Sequence, residues 1–344
     1  MSQFIRTQRT KPPPVEKVDL TGKTVLVVGA NAGLGFEATK HFATMHPGRL
    51  ILACRSESRG QAALESNLKT GCKNLEVWTI DLSDFGSVRR FADKWEQEGG
   101  RLDILVANAA VILPKYEATK DGWETWYALT PCSVATTEPL VQSAGQLSSM
   151  PLLTLLLLPH MVRTAQQYST TPRIVMVASD VHYWANIGGK RVLESPNILE
   201  TLGSKEYCTK PKYEAMGDAR YFLTKLLNVM FVRAFEERIG KSTPLVINAV
   251  NPGFCLSNIR KTFSGMQVVV DFLMEKWVGL PTEAGSRQLL RGRYITLWYQ
   301  VDEVSDYILS AEGREVQDRV WKEMVEILVK VDSRVESAVN SNLS

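Results

Sequence analysis

Short apolar runs rich in Val, Ile and Leu alternate along the chain with longer amphipathic stretches. Six such runs stand out: TVLVVGA from Thr24, RLILA from Arg49, LEVWTI from Leu75, LDILVAN from Leu102, RIVMVAS from Arg173 and LVINAVNPG from Leu245. A strand apolar on both faces has to be covered on both faces, and separators of helical length are what parallel strands need between them. The pattern predicts an α/β protein with a doubly wound parallel sheet, in one domain.

Three stretches break the alternation. Residues 1–20, with Pro12, Pro13 and Pro14 in succession, read as a disordered N-terminal arm ahead of a domain over 21–344 that ends in a helical extension, EVQDRVWKEMVEILVKV. An atypical insertion at about 127–149 contains Pro131, Pro139 and Gly145 and only weak helical periodicity. A long connection, Asp180 to Met216, follows the fifth run; connections at the carboxyl ends of parallel strands border the ligand crevice, so it is expected on the substrate side.

Directly after the insertion come six leucines within the seven positions Leu152 to Leu158. Spanning a bilayer takes about 20 apolar residues, and Ser148, Ser149, His160 and Arg163 bracket the run too closely. It is expected to be the buried part of the helix after the fourth strand. Peripheral membrane attachment stays open.

The chain has 344 residues, 44% of them hydrophobic and 22% charged, with a net charge of +3. Basic residues alternate with acids, which excludes a nucleic-acid footprint. The five cysteines form no C-x-x-C and do not sit at ligand spacing with the four histidines, so neither a disulfide framework nor a metal site is expected. The first residues lack the apolar core of a secretory signal. A soluble cytoplasmic protein is the expectation.

Chemistry enters where the first run passes into GANAGLG, with Gly29, Gly33 and Gly35 at a strand-to-helix turn. Glycines let backbone approach a pyrophosphate, and the N–H groups of the following helix attract negative charge. The second run ends in LACRS: no acid is placed there to accept from ribose hydroxyls, and Arg55 is suited to the extra phosphate of NADP. NADP(H) is the expected cofactor, with a surface Arg55 that meets no ligand as the lesser alternative.

At this point the chain resembles the short-chain dehydrogenase/reductase family, in its retinol-dehydrogenase-like and WW-domain-oxidoreductase-like branch. The motifs VGANAGLG, DLSD, ANAA, VMVAS, YFLTK and NPGFCLS occur in order between about Thr21 and Ser257. The resemblance implies a Rossmann fold and an enzyme acting on CH–OH groups. It sets Gly29, Asn31, Gly33, Leu34 and Gly35 against the cofactor, Asp81 and Leu82 near the adenine, and Asn108 at the end of the fourth strand. Pro252 and Gly253 belong to a turn after the sixth, and Ser257 to a contact with the nicotinamide amide or the phosphates.

A tyrosine titrating near 10 acts as acid or base at neutrality when an ammonium stabilises its phenolate. Tyrosine and lysine four apart share a helix face. Two pairs have that spacing: Tyr116 with Lys120 in a proline-led charged segment, and Tyr221 with Lys225 in the long amphipathic stretch DARYFLTKLLNVMFVRAF. Context selects the second, in which the resemblance also matches Asn228 and Phe231. Ser179, at the end of RIVMVAS, is the candidate for holding the substrate oxygen, which makes Ser179, Tyr221 and Lys225 the catalytic set; Tyr221 and Lys225 also face the cofactor. His182 is a further candidate base, against the plainer reading of a histidine that caps or packs locally.

One expected part is missing. The resemblance implies an asparagine in the helix after the fourth strand, supporting a water relay behind the lysine, yet there is no asparagine between Asn108 and Asn186. Gln146 overlays its place, with Pro151 following. Either Gln146 serves a remodelled relay, or the stretch before it is foreign to the fold and leaves a cofactor-binding protein with little turnover. The substrate is expected to be a small lipophilic alcohol or carbonyl compound, with retinoids, steroids and secondary-metabolite ketones all open. The resemblance implies dimers or tetramers built through the catalytic helix, unless the C-terminal helix covers that surface.

Overall fold

The computed structural model describes residues 8–9, 14–108, 149–185, 187, 190–208, 218–240, 243–256, 266–290 and 304–343. Gln146, Ser257, Tyr116, Lys120 and the expected insertion up to residue 148 lie outside them.

All six expected strands form: β1 Thr24–Val28, β2 Arg49–Cys54, β3 Leu75–Thr79, β4 Ile104–Ala107, β5 Arg173–Val177 and β6 Val246–Val250. They make one parallel sheet in the order 3-2-1-4-5-6, the doubly wound order of dinucleotide-binding folds. Period-two geometry divides β1 between two cores. Val25 and Val27 join Leu50, Leu52 and Phe42 on one face, while Leu26 and Val28 join Ile51, Leu105 and the leucines of the fourth helix on the other.

The principal helices are α1 Gly33–Ala43, α2 Glu57–Leu68, α3 Phe85–Lys94, α4 Ser149–Tyr168, α5 Asp218–Arg238, α6 Met266–Val278, α7 Ala311–Val331 and α8 Arg334–Asn342. In α4 every side chain from Ser149 to Leu158 is buried, as expected of the leucine run. Pro151 falls in the first turn, where its missing N–H removes no helical bond. The helix runs on through Pro159 to Tyr168.

The C-terminal helices close over α4 and α5. Trp321 of α7 stacks on Phe231, ring centroids 5.7 Å apart, and meets Phe235 edge-on at 6.4 Å; Arg238 pairs with Asp318 at 2.7 Å. Arg319 ties α7 to the carbonyls of Leu193 and Ser195, and Glu323 accepts from the Leu199 N–H. α8 lies on α4, and Leu343 bridges to Ile239 at the end of α5. The N-terminal arm is shorter than expected: Val15 already packs on the core, and Leu20 is buried with its N–H bonded to the Met45 carbonyl. Apolar side chains at these positions gain more by burial than the chain loses by ordering.

Candidate active site

At the switch point between β1 and β4, Gly29 (φ 79°) and Gly33 (φ 57°) adopt left-handed conformations that favour glycine. Gly35 is required for a different reason. A Cβ there would come within 2.3 Å of the Gly29 carbonyl oxygen and 2.5 Å of the Asn108 amide nitrogen. Asn108, leaving β4, donates to the Gly29 carbonyl at 3.2 Å, so the end of one strand braces the turn after its neighbour.

Among the described residues, the head of α1 is left open to a ligand. Its N-cap, Ala32, has no side-chain cap and its first turn carries no acid, leaving orphan N–H groups that suit a pyrophosphate. Open space surrounds the Cβ position of Gly33. The residues present therefore fit a dinucleotide. Asn31 is half-buried in the turn, and Leu34 packs toward Cys255 and Leu280.

At the position expected near the adenine, Asp81 takes the N–H and hydroxyl of Ser83 on Oδ1, at 2.9 and 2.6 Å, and its own N–H donates to Ser87 Oγ. The side chain of Leu82 is buried in the core. Arg55 is half-buried at the end of β2 and is followed by Ser56, whose hydroxyl caps α2.

Two side chains of α5 converge on one carbonyl. Lys225 is fully buried, its Nζ donates to the Val177 oxygen at 2.9 Å, and Asn228 one turn further along α5 reaches the same oxygen at 3.4 Å. Lys225 Nζ lies 5.5 Å from the ring centroid of Tyr221, which is itself half-buried. Burial pushes the Lys225 pKa down to about 8. Thus the face of α5 bearing Tyr221, Lys225 and Asn228 is fastened to the last residue of β5, two positions before Ser179.

Ser179 has extended backbone and caps a short 3-10 turn, Asp180–Trp184, its Oγ accepting from the Val181 N–H at 3.4 Å. With that acceptor role taken, the hydroxyl proton is left to donate outward. The turn packs against α5, and Trp184 meets Phe222 edge-on at 5.6 Å. His182 is buried and bonded back to Ser179, in agreement with the local-cap reading and not with a base in the crevice.

Pro252 and Gly253 (φ 78°) turn the chain after β6, and Asn251 Oδ1 accepts from the Gly253 N–H at 3.1 Å. Two parts of this wall escaped sequence reading. Asn251 had a local signal, since an Asn before Pro-Gly is a side-chain-capped turn. Gly285 had none: it lies in a short helix, Thr282–Ser286, where a Cβ would sit 2.2 Å from Cys255 Sγ and 2.8 Å from the Pro252 oxygen. Among the described residues no cluster of His, Cys, Asp and Glu could hold a metal, and no helix is long and apolar enough to cross a membrane.

Comparison with known proteins agrees with this geometry. The short chain dehydrogenase family model matches residues 23–183. The short chain dehydrogenase/reductase dmxR8 of Cryptosporiopsis sp. (strain 8999) is 30% identical over 352 residues, covering 98% of this chain and 99% of the relative. The short chain dehydrogenase sol3 of Alternaria solani is 33% identical over 261 residues, 75% of this chain and 81% of its own. Among solved structures, the Pseudomonas aeruginosa RhlG/NADP active-site complex superposes with a TM-score of 0.52 at 18% identity, covering 79% of this chain and 89% of that one. A short-chain type dehydrogenase/reductase from Mycobacterium marinum does so at 0.52 and 16%, covering 79% and 88%. The chain belongs to the short-chain dehydrogenase/reductase family, and it is an oxidoreductase of that class.

Proposed function

We propose that the protein is an NADP(H)-dependent, cytoplasmic oxidoreductase that interconverts a lipophilic alcohol and its aldehyde or ketone in secondary metabolism. The observation that carries this reading is the fastening of Lys225 and Asn228 to the Val177 carbonyl. It sets the Tyr221 helix and the Ser179 turn on one strand end.

A nicotinamide dinucleotide bound at the glycine turn supplies the hydride. In the reductive direction Ser179 donates a hydrogen bond to the carbonyl oxygen and holds it. Tyr221 then gives its phenolic proton to that oxygen as the alcohol forms. Lys225, cationic below about pH 8, stabilises the phenolate that remains; in the oxidative direction the proton returns to Tyr221. Asn31, Gly33, Leu34 and Gly35 would line the pyrophosphate turn, Asp81 and Leu82 the adenine, Asn108 the back of the glycine turn, and Pro252, Gly253 and Ser257 the nicotinamide side.

The missing acid at the end of β2, together with Arg55, supports NADP over NAD. Exposed Tyr183, Trp184, Leu256 and Phe272 follow the carboxyl ends of β5 and β6, which supports a lipophilic substrate.

The test is Tyr221→Phe, assayed with NADPH against a panel of aldehydes and ketones. Turnover should fall by roughly 100-fold or more while NADPH binding is kept. Full turnover in the variant would sink the assignment. Wild-type protein that binds NADPH but reduces nothing on the panel supports instead the cofactor-binding protein that the absent relay asparagine allows.

A further inference from the structure

The segment Val177 to His182 is tied by several hydrogen bonds. The Val177 oxygen accepts from Lys225 and Asn228, the Ala178 N–H donates to Val250, and Ser179 Oγ accepts from Val181. The Ser179 carbonyl receives two bonds, both from His182. The backbone N–H reaches it at 3.2 Å, a 3-10 bond of the weaker sort, and ring Nδ1 reaches it at 2.8 Å.

A carbonyl only accepts, so Nδ1 carries a proton. The ring is 6% exposed and stands 4.3 Å from the ring of Tyr183. Burial lowers its pKa, against a smaller upward effect of the bond to Ser179. Nε2 has no hydrogen-bond partner among the described residues. The useful edge of this histidine is therefore the Nδ1 edge alone.

We propose that His182 is a positioning residue for Ser179: its Nδ1–H bond closes the turn that directs the Ser179 hydroxyl at the substrate oxygen. The inference rests on the reading of Ser179 given above. Without the side-chain bond, the Ser179 carbonyl keeps, of these two, only the longer backbone bond. Ser179 can then swing out of the extended backbone that lets Oγ accept from Val181 and donate to substrate together.

Three variants separate this role from mere packing. Asparagine places an amide N–H where ring Nδ1 stands, glutamine places it nearer Nε2, and phenylalanine fills the space with no donor. With NADPH and 9,10-phenanthrenequinone, His182→Asn should stay within about threefold of wild-type kcat. His182→Gln and His182→Phe should each lose roughly tenfold or more in kcat, the effect of one buried hydrogen bond, with the NADPH dissociation constant unchanged. Equal kcat for the Asn and Gln variants overturns the proposal, and that comparison decides even if the Phe variant fails to fold.

A readout independent of turnover is available because the chain has four histidines. In a 15N-histidine NMR spectrum, the resonances lost in His182→Asn should belong to a ring protonated on Nδ1; a ring protonated on Nε2 overturns the proposal. Ser179→Ala tells the two readings apart. If it keeps full kcat, the reading of Ser179 fails, whereas a dead Ser179→Ala beside fully active His182→Gln and His182→Phe removes the positioning role alone.

Discussion

Two side chains in the crevice have effects that can be assigned one at a time. Lys225 has its pKa held near 8 by burial, below the 10.5 of an exposed lysine, so reductive kcat should fall as pH rises through about 8 and the charge behind Tyr221 is lost. A pH–rate profile flat to pH 10 contradicts that role. Its effect on stability has the opposite sense. Between pH 8 and 10.5 the unfolded chain binds the proton that the folded one has released, so this group's contribution to stability grows with pH across that window and is lost as pH falls through 8. Arg55 governs cofactor choice in our reading. Arg55→Asp should move the ratio of kcat/KM for NADPH over NADH toward NADH by roughly tenfold or more, the scale of one charge-assisted contact. An unchanged ratio means that the phosphate is held elsewhere.

At the scale of elements, α5 does two jobs: Lys225 and Asn228 fasten it to β5, and Phe231 and Phe235 further along are buried under Trp321 of α7. Trp321→Ala removes a ring that stacks on Phe231 and meets Phe235 edge-on and should cost about 3 to 5 kcal/mol, read as a lowered melting temperature with the NADPH site intact in the folded fraction. The strands, the leucine helix and the glycine turn were legible in the sequence because each is encoded within a few residues: both-face apolarity, a buried run, glycines where a strand meets a helix. The pair Tyr221 and Lys225 was legible only with its context, since Tyr116 and Lys120 share its spacing. Gly285 behind the Pro252 turn was not legible, because what demands a glycine there is Cys255, thirty positions away and with no local pattern. For His182 the sequence offered two roles, and only the 2.8 Å bond to the Ser179 carbonyl distinguishes them.

Taken whole, the molecule supplies its own cover for the helices beside the site. α7 lies on α5 and α8 on α4, which is the surface through which the resemblance led us to expect a second copy. Sedimentation equilibrium at micromolar concentration should therefore give a single species near 38.5 kDa. A dimer that survives dilution would mean that another face is used.

That cover also sets an order of events in the cell. The catalytic helix is made well before Trp321 and the Leu343 bridge that closes over its end. Until those residues leave the ribosome, Phe231 and Phe235 have no partner from α7. Premature termination or proteolytic loss beyond about residue 303 should then yield aggregates held by folding helpers, even though every residue assigned to the chemistry has already been made.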